Sequence, residues 1–121
     1  MPFPATRLYS LLAKSRFMKG FYRQVASEVA VELRQGRILD VGTGPGYLPI
    51  EIARSIPGVE VVGIDVSSDM VEMARKNAER AGLSGRVRFM VEDANKMSFE
   101  SSYFDLIVSR ARSTTGGTPY A

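Results

Sequence analysis

Ile38-Leu39-Asp40-Val41-Gly42-Thr43-Gly44-Pro45-Gly46-Tyr47 is the stretch that decides the fold of this 121-residue chain. Arg37 to Val41 predicts a short buried strand, three glycines at alternate positions break it, and Leu48-Pro49-Ile50-Glu51-Ile52-Ala53 resumes an apolar, helix-like pattern. Glycine has no Cβ, so Gly42, Gly44 and Gly46 turn the chain sharply and let a ligand approach bare backbone. A helix that starts behind such a turn offers N–H groups to polar or anionic atoms. A tight turn with no ligand would also use glycines.

Val59-Glu60-Val61-Val62-Gly63-Ile64-Asp65 predicts a second strand, and its terminal carboxylate falls 19 residues after Gly46. At that spacing an acid ending the second strand accepts hydrogen bonds from a ribose. A dinucleotide fingerprint, G-x-G-x-x-G counted from Gly42, would need its third glycine where Tyr47 stands. The pattern is instead Asp-x-Gly-x-Gly-x-Gly, led by Asp40. This argues against a nicotinamide-dependent oxidoreductase.

From Arg37 to Arg110 the sequence resembles the class I S-adenosylmethionine-dependent methyltransferases. The resemblance rests on the Asp40–Gly46 motif, on Gly63-Ile64-Asp65-Val66-Ser67-Ser68-Asp69-Met70, on Val91-Glu92-Asp93-Ala94 and on Phe104-Asp105-Leu106-Ile107-Val108-Ser109, in the family's order. It implies an α/β, Rossmann-like three-layer sandwich with a parallel sheet, strand order 3-2-1-4, and further strands beyond the fourth. It also implies S-adenosylmethionine as cofactor, with S-adenosylhomocysteine as product.

Residue by residue, the resemblance sets Asp40 toward the cofactor's amino group and Gly42, Thr43, Gly44 and Gly46 around its methionine moiety and ribose. Asp65 takes both ribose hydroxyls, Val66 and Met70 pack on adenine, and Asp93 accepts from the exocyclic amine beside the backbone of Ala94. Ser109 meets the methionyl end through its backbone. For each acid a plainer role stands open: Asp40 holding the glycine loop, Asp65 entering a helix, Asp93 capping a turn. Val66 and Met70 are equally readable as core. Methyl transfer at a sulfonium demands no fixed catalytic residue, and none is assigned; a partner subunit that binds the cofactor without turnover is the alternative.

Composition is that of a globular protein, 45% hydrophobic and 24% charged. No apolar run approaches the ~18 residues of a membrane span, and Met1-Pro2-Phe3-Pro4 has no signal-peptide layout, so a cytoplasmic location is expected. Without cysteine or histidine, a metal site is not expected. The net charge of +3 is uneven: residues 1–37 carry seven Lys and Arg against two Glu. Such a region is compatible with nucleic acid, an anionic membrane surface or an acidic substrate. A solvated helix face is the plainer reading, because no aromatic-and-basic RNA-binding motif accompanies it. The expected acceptor is a small molecule of unknown identity.

Three regions are expected. Residues 1–36 form a helical lid in two pieces, Leu8, Leu11, Leu12 and Phe17 marking the first and Met18, Phe21, Tyr22, Val25, Val29 and Leu33 the second. In resembling proteins such helices lie beside the cofactor, which sets Tyr9, Phe21 and Tyr22 at the substrate cavity; ordinary core is the plainer role. Residues 37–110 form the cofactor-binding core. Within it a first helix stops at Ile56-Pro57-Gly58, Gly58 supplying a left-handed cap, and a second runs from Ser67 to Ala81-Gly82. A third strand covers Arg86 to Val91 and a fourth Phe104 to Ser109. Residues 111–121 have no apolar period and predict a flexible tail. With four strands where the family generally has seven, the chain reads as a truncated front half. Its fourth strand is then left with a bare edge, through which self-association is expected.

Overall fold

Four of the five strands run parallel, and their register sets where the chain's chemistry gathers. The computed structural model describes residues 16–96, 103–109 and 113–115. In chain order these give α1 (Arg16–Glu32), β1 (Gln35–Val41), α2 (Tyr47–Ser55), β2 (Gly58–Asp65) and α3 (Ser68–Arg80). Then come β3 (Val87–Val91), a 3-10 turn (Ala94–Lys96), β4 (Leu106–Ser109) and β5 (Ser113–Thr115). The sheet order is β3-β2-β1-β4-β5, so the expected parallel 3-2-1-4 arrangement is present. The predicted first helical piece and Tyr9 lie outside the described residues, and Phe17, placed there by the spacing, falls within α1.

β1 pairs with β2 from Gln35↔Gly58 to Val41↔Ile64 and with β4 from Ile38↔Leu106 to Val41↔Ser109. β2 pairs with β3 up to Asp65↔Val91. All four carboxyl ends therefore share one edge. From β1, the chain first moves outward through β2 and β3 and then returns to β4 on the other flank, so the crevice where ligands settle in such sheets opens beside β1.

One face of the sheet holds the main core. Ala26 and Val29 of α1, Ile50, Ile52 and Ala53 of α2, and Val71, Ala74 and Ala78 of α3 pack on Ile38, Val59, Val61, Val87, Phe89, Leu106 and Val108. The opposite face gathers Leu39, Ile64 and Phe104 with Val41, Val62, Met90 and Ile107. Alternation along each strand sends successive side chains to opposite faces. The segment expected as a separate lid thus adds Ala26 and Val29 to the common core, and β1 begins at Gln35, inside it.

Local chemistry sets most boundaries. Ser67 caps α3 by accepting the Met70 N–H at 3.3 Å. α2 ends where Pro57 has no N–H to give, and Ile56 closes it by donating to the Ile52 carbonyl. Gly58 is not a left-handed cap: the described glycines with positive φ are 36, 42, 44, 46 and 82. A Cβ on Gly58 would lie 2.6 Å from the Arg34 carbonyl oxygen, so glycine serves there for close approach of β2 to the link between α1 and β1.

The fourth strand does not have a bare edge. Ser113–Thr115, within the segment expected as tail, pairs antiparallel with it through Leu106↔Thr115, Ile107↔Thr114 and Val108↔Ser113. This removes the basis for association through β4, because three of its four residues already have a neighbour on that side. Among the described residues, no helix is long and apolar enough to cross a membrane.

Candidate functional site at the carboxyl edge

Asp65, the last residue of β2, ties the edge together. Its Oδ2 accepts the Gly44 N–H and its Oδ1 the Ser67 N–H, each at 2.9 Å. Its carbonyl oxygen accepts the Glu92 N–H at 3.0 Å, which binds the end of β3 to the end of β2. One residue therefore spans the glycine turn, the entry to α3 and the neighbouring strand. The helix-entry role read from the sequence is visible directly at this carboxylate.

The turn is built from its own backbone. The N–H groups of Gly42 and Thr43 both donate to the Ile64 carbonyl at 2.9 Å, and that of Gly46 donates to the Thr43 carbonyl at 3.1 Å. With Gly44 committed to Asp65 and Pro45 lacking an N–H, the loop itself contributes shape more than donors. Gly42, Gly44 and Gly46 have φ of 73°, 58° and 83°, a region side chains avoid. Among the described residues the space beside Gly42 is open, with nothing within 4 Å of where a Cβ would stand. At Gly46 a Cβ would lie 2.6 Å from the Phe89 ring and 2.8 Å from Ala74. One glycine faces open space while the other faces the core.

Asp40 is buried, 3% exposed, between Gly63 and Val108 in register. Thr43 is also buried, and its Oγ1 makes no hydrogen bond among the described residues. That hydroxyl lies against β2, 2.5 Å from where a Cβ on Gly63 would be. Val66 and Met70 part company: Val66 is 71% exposed beside Asp65, whereas Met70 is 1% exposed, so its side chain offers no surface at the edge. Asp93 accepts the Asn95 N–H at 2.9 Å and caps the 3-10 turn, with Ala94 exposed behind it. Ser109 ends β4 opposite Val41, half-buried.

Three supports of this edge escaped the sequence reading. Asn77 Nδ2 donates to the Pro45 carbonyl at 2.9 Å and anchors the turn to α3. Its signal was a polar residue in the helical stripe of Met70, Ala74 and Ala78. Phe89 fills the space vacated by Gly46 and Gly63. Tyr47, which opens α2, lies with its ring 6.3 Å from that of Tyr22 and so connects α1 to the turn.

Comparison with known proteins agrees with this geometry. A family model described as "Methyltransferase domain" matches residues 38–116, more than half of the chain. The demethylmenaquinone methyltransferase of Thermus thermophilus is 40% identical over 86 residues, covering 71% of this chain and 38% of that protein. A Methanococcus maripaludis protein, crystallised as a candidate S-adenosyl-L-methionine-dependent methyltransferase, superposes with a TM-score of 0.81 at 29% identity, over 87% of this chain and 48% of its own. An RNA methyltransferase from Salinibacter ruber, solved with S-adenosyl-L-homocysteine, gives 0.63 at 30% identity, over 72% and 55%. The chain thus spans about half, or less, of the length of these proteins.

Proposed function

The chain belongs to the methyltransferase-domain family, and from that premise we propose that it binds S-adenosylmethionine at the carboxyl edge of β1 to β4 and serves methyl transfer to a small-molecule acceptor. The Asp65 carboxylate carries this reading. A carboxylate has about four acceptor directions, and Gly44 and Ser67 take one on each oxygen, which leaves two for the hydroxyls of a ribose. The open side of Gly42 gives the ligand backbone to lie against, and exposed Val66 gives a flat ring an apolar wall.

The remaining assignments follow as proposals. Asp40 holds the amino group, directly or through water, the Ser109 backbone meets the methionyl end, and Asp93 with Ala94 borders adenine. The cofactor supplies a methyl group on a sulfonium, a good leaving group. This chain's residues contribute binding, alignment and exclusion of water, worth up to ~7–11 kcal/mol when alignment is good. The demethylmenaquinone relative supports a small acceptor, and a cytoplasmic location goes with the same reading.

Calorimetry tests the central residue. Asp65→Ala is expected to weaken S-adenosylmethionine binding by roughly 1.5–3 kcal/mol. An unchanged Kd with an intact circular dichroism spectrum would remove Asp65 from the site. For the acceptor, the protein is incubated with methyl-labelled cofactor and either small quinols or total RNA. Label recovered in RNA would overturn the small-molecule proposal.

A further inference from the structure

We propose that Ser113–Thr115 is a built-in edge guard: it occupies the open side of β4 in cis and keeps a second copy of this chain from adding to the sheet. Without β5, Leu106-Ile107-Val108 would form an apolar strand with one row of N–H and C=O groups unpaired, the arrangement that recruits another chain. β5 takes up that row over three consecutive residue pairs. It then presents a much poorer edge of its own. It is three residues long, Ser-Thr-Thr, with Arg110 and Arg112 before it in sequence and Gly116-Gly117 and Pro119 after it. Short length, nearby cationic residues and proline are the means by which sheets blunt their edges, and glycine and proline disfavour extending the strand.

The direction of the strand fits this role. Residues 110–112 alone separate β4 from β5, and an antiparallel neighbour needs only such a short link. A parallel fifth strand would require a crossover of a dozen or more residues. Closing so small a loop costs little chain entropy, so the guard forms within one chain before another can compete.

Two measurements on the full chain test the proposal. The sequence has no cysteine, so Ile107→Cys with Thr114→Cys places the only two thiols at directly opposed positions. Such positions lie about 4.5–5.5 Å apart between Cα atoms, within disulfide range. Oxidation of dilute protein is expected to yield a cross-linked monomer resistant to alkylation. A cross-linked dimer, or two thiols left free, would overturn the cis pairing.

The second variant is Thr114→Pro with Thr115→Pro. Alternate residues of an antiparallel strand donate to the partner, so one of the two prolines removes a ladder donor. Sedimentation velocity at micromolar concentration should show the unmodified 13.3 kDa chain as a monomer and the variant as dimers or larger. An unmodified chain that already associates, or a variant that stays monomeric, would sink the idea. The cross-link decides the pairing independently of how well the proline variant folds.

Discussion

Gly42 and Gly46 adopt nearly the same left-handed backbone, yet their surroundings make opposite predictions. For both, an alanine would meet the left-handed penalty of roughly 1–2 kcal/mol. At Gly46 it would also press into Phe89 and Ala74, adding about 1–3 kcal/mol of overpacking. Gly46→Ala is therefore expected to lower Tm markedly more than Gly42→Ala by differential scanning calorimetry. Gly42→Ala should leave the fold closer to intact while weakening S-adenosylmethionine binding, because its methyl group enters the open side of the turn. Equal losses of Tm would show that the Phe89 contact carries no weight. Thr43 supplies a third residue-scale test. Its hydroxyl is buried without a partner among the described residues, and valine keeps the shape while removing the unsatisfied group. Thr43→Val should raise stability by about 1 kcal/mol, read as a shift in the urea midpoint; a loss would mean that the hydroxyl has work to do.

Individual elements are held mainly at their ends. The last turn of α2 leaves carbonyls without helical donors, as every helix does. Arg86 reaches across from just before β3 to this end and to the start of β2: Nη2 donates to the Ala53 carbonyl at 2.7 Å, and Nη1 to those of Ile56 at 3.4 Å and, in β2, Val59 at 3.0 Å. A lysine carries a compact point charge and lacks the planar fork that serves several carbonyls together. Arg86→Lys should cost about 1.5–3 kcal/mol in a urea titration, with the effect felt as loss of α2 and β2 together. Full stability in the lysine variant would reduce Arg86 to a surface charge. At the same amino edge of the sheet, on the β4 side, Asp105 forms a comparable clasp. Its Oδ2 accepts the Arg37 N–H at 2.9 Å while its own N–H donates to the Arg37 carbonyl at 2.8 Å, which fixes the start of β4 against β1.

At the scale of the whole molecule, α1 shares one core with the sheet. Val29 is 5% exposed and belongs to the same cluster as Ile52, Val71 and Phe89. Val29→Ala should therefore destabilise the entire chain by about 2 kcal/mol, from lost burial plus an incompletely closed cavity. Tyr22 lies on α1 and Tyr47 opens α2, so in a background where the other three tyrosines, Tyr9, Tyr103 and Tyr120, are replaced by phenylalanine, tyrosine fluorescence reports the joint between them while ellipticity reports the helices overall. The two unfolding curves should coincide before and after the substitution, as expected for a single cooperative unit. A separate early fluorescence transition would show α1 leaving the core on its own.

The parallel pairing, the glycine turn and the acid at the end of β2 were legible in the sequence because each is a local rule, whereas the strand order and the places of Asp40, Asp93, Ala94 and Ser109 were implied by resemblance to a family. Strand periodicity, the glycine spacing and the acid at the end of β2 are all set by residues near one another in the chain, and Ser67 as a cap needs only the three residues after it. Other features depended on what distant segments bring into contact. Gly58 has the composition of a left-handed cap, and only the approach of Arg34 shows that its lack of a Cβ is used for packing. Val66 and Met70 are hydrophobic positions four residues apart in the same motif, and the tertiary fold exposes one and buries the other, because α3 turns Met70 inward. The Gly44 and Ser67 N–H groups converge on Asp65 across 21 and 2 residues of sequence. Ser113–Thr115 carries no strand signal of its own. Its polar side chains give no alternating pattern, and it becomes a strand because β4 presents an unpaired row of hydrogen-bonding groups beside it, a property of the partner and not of the segment.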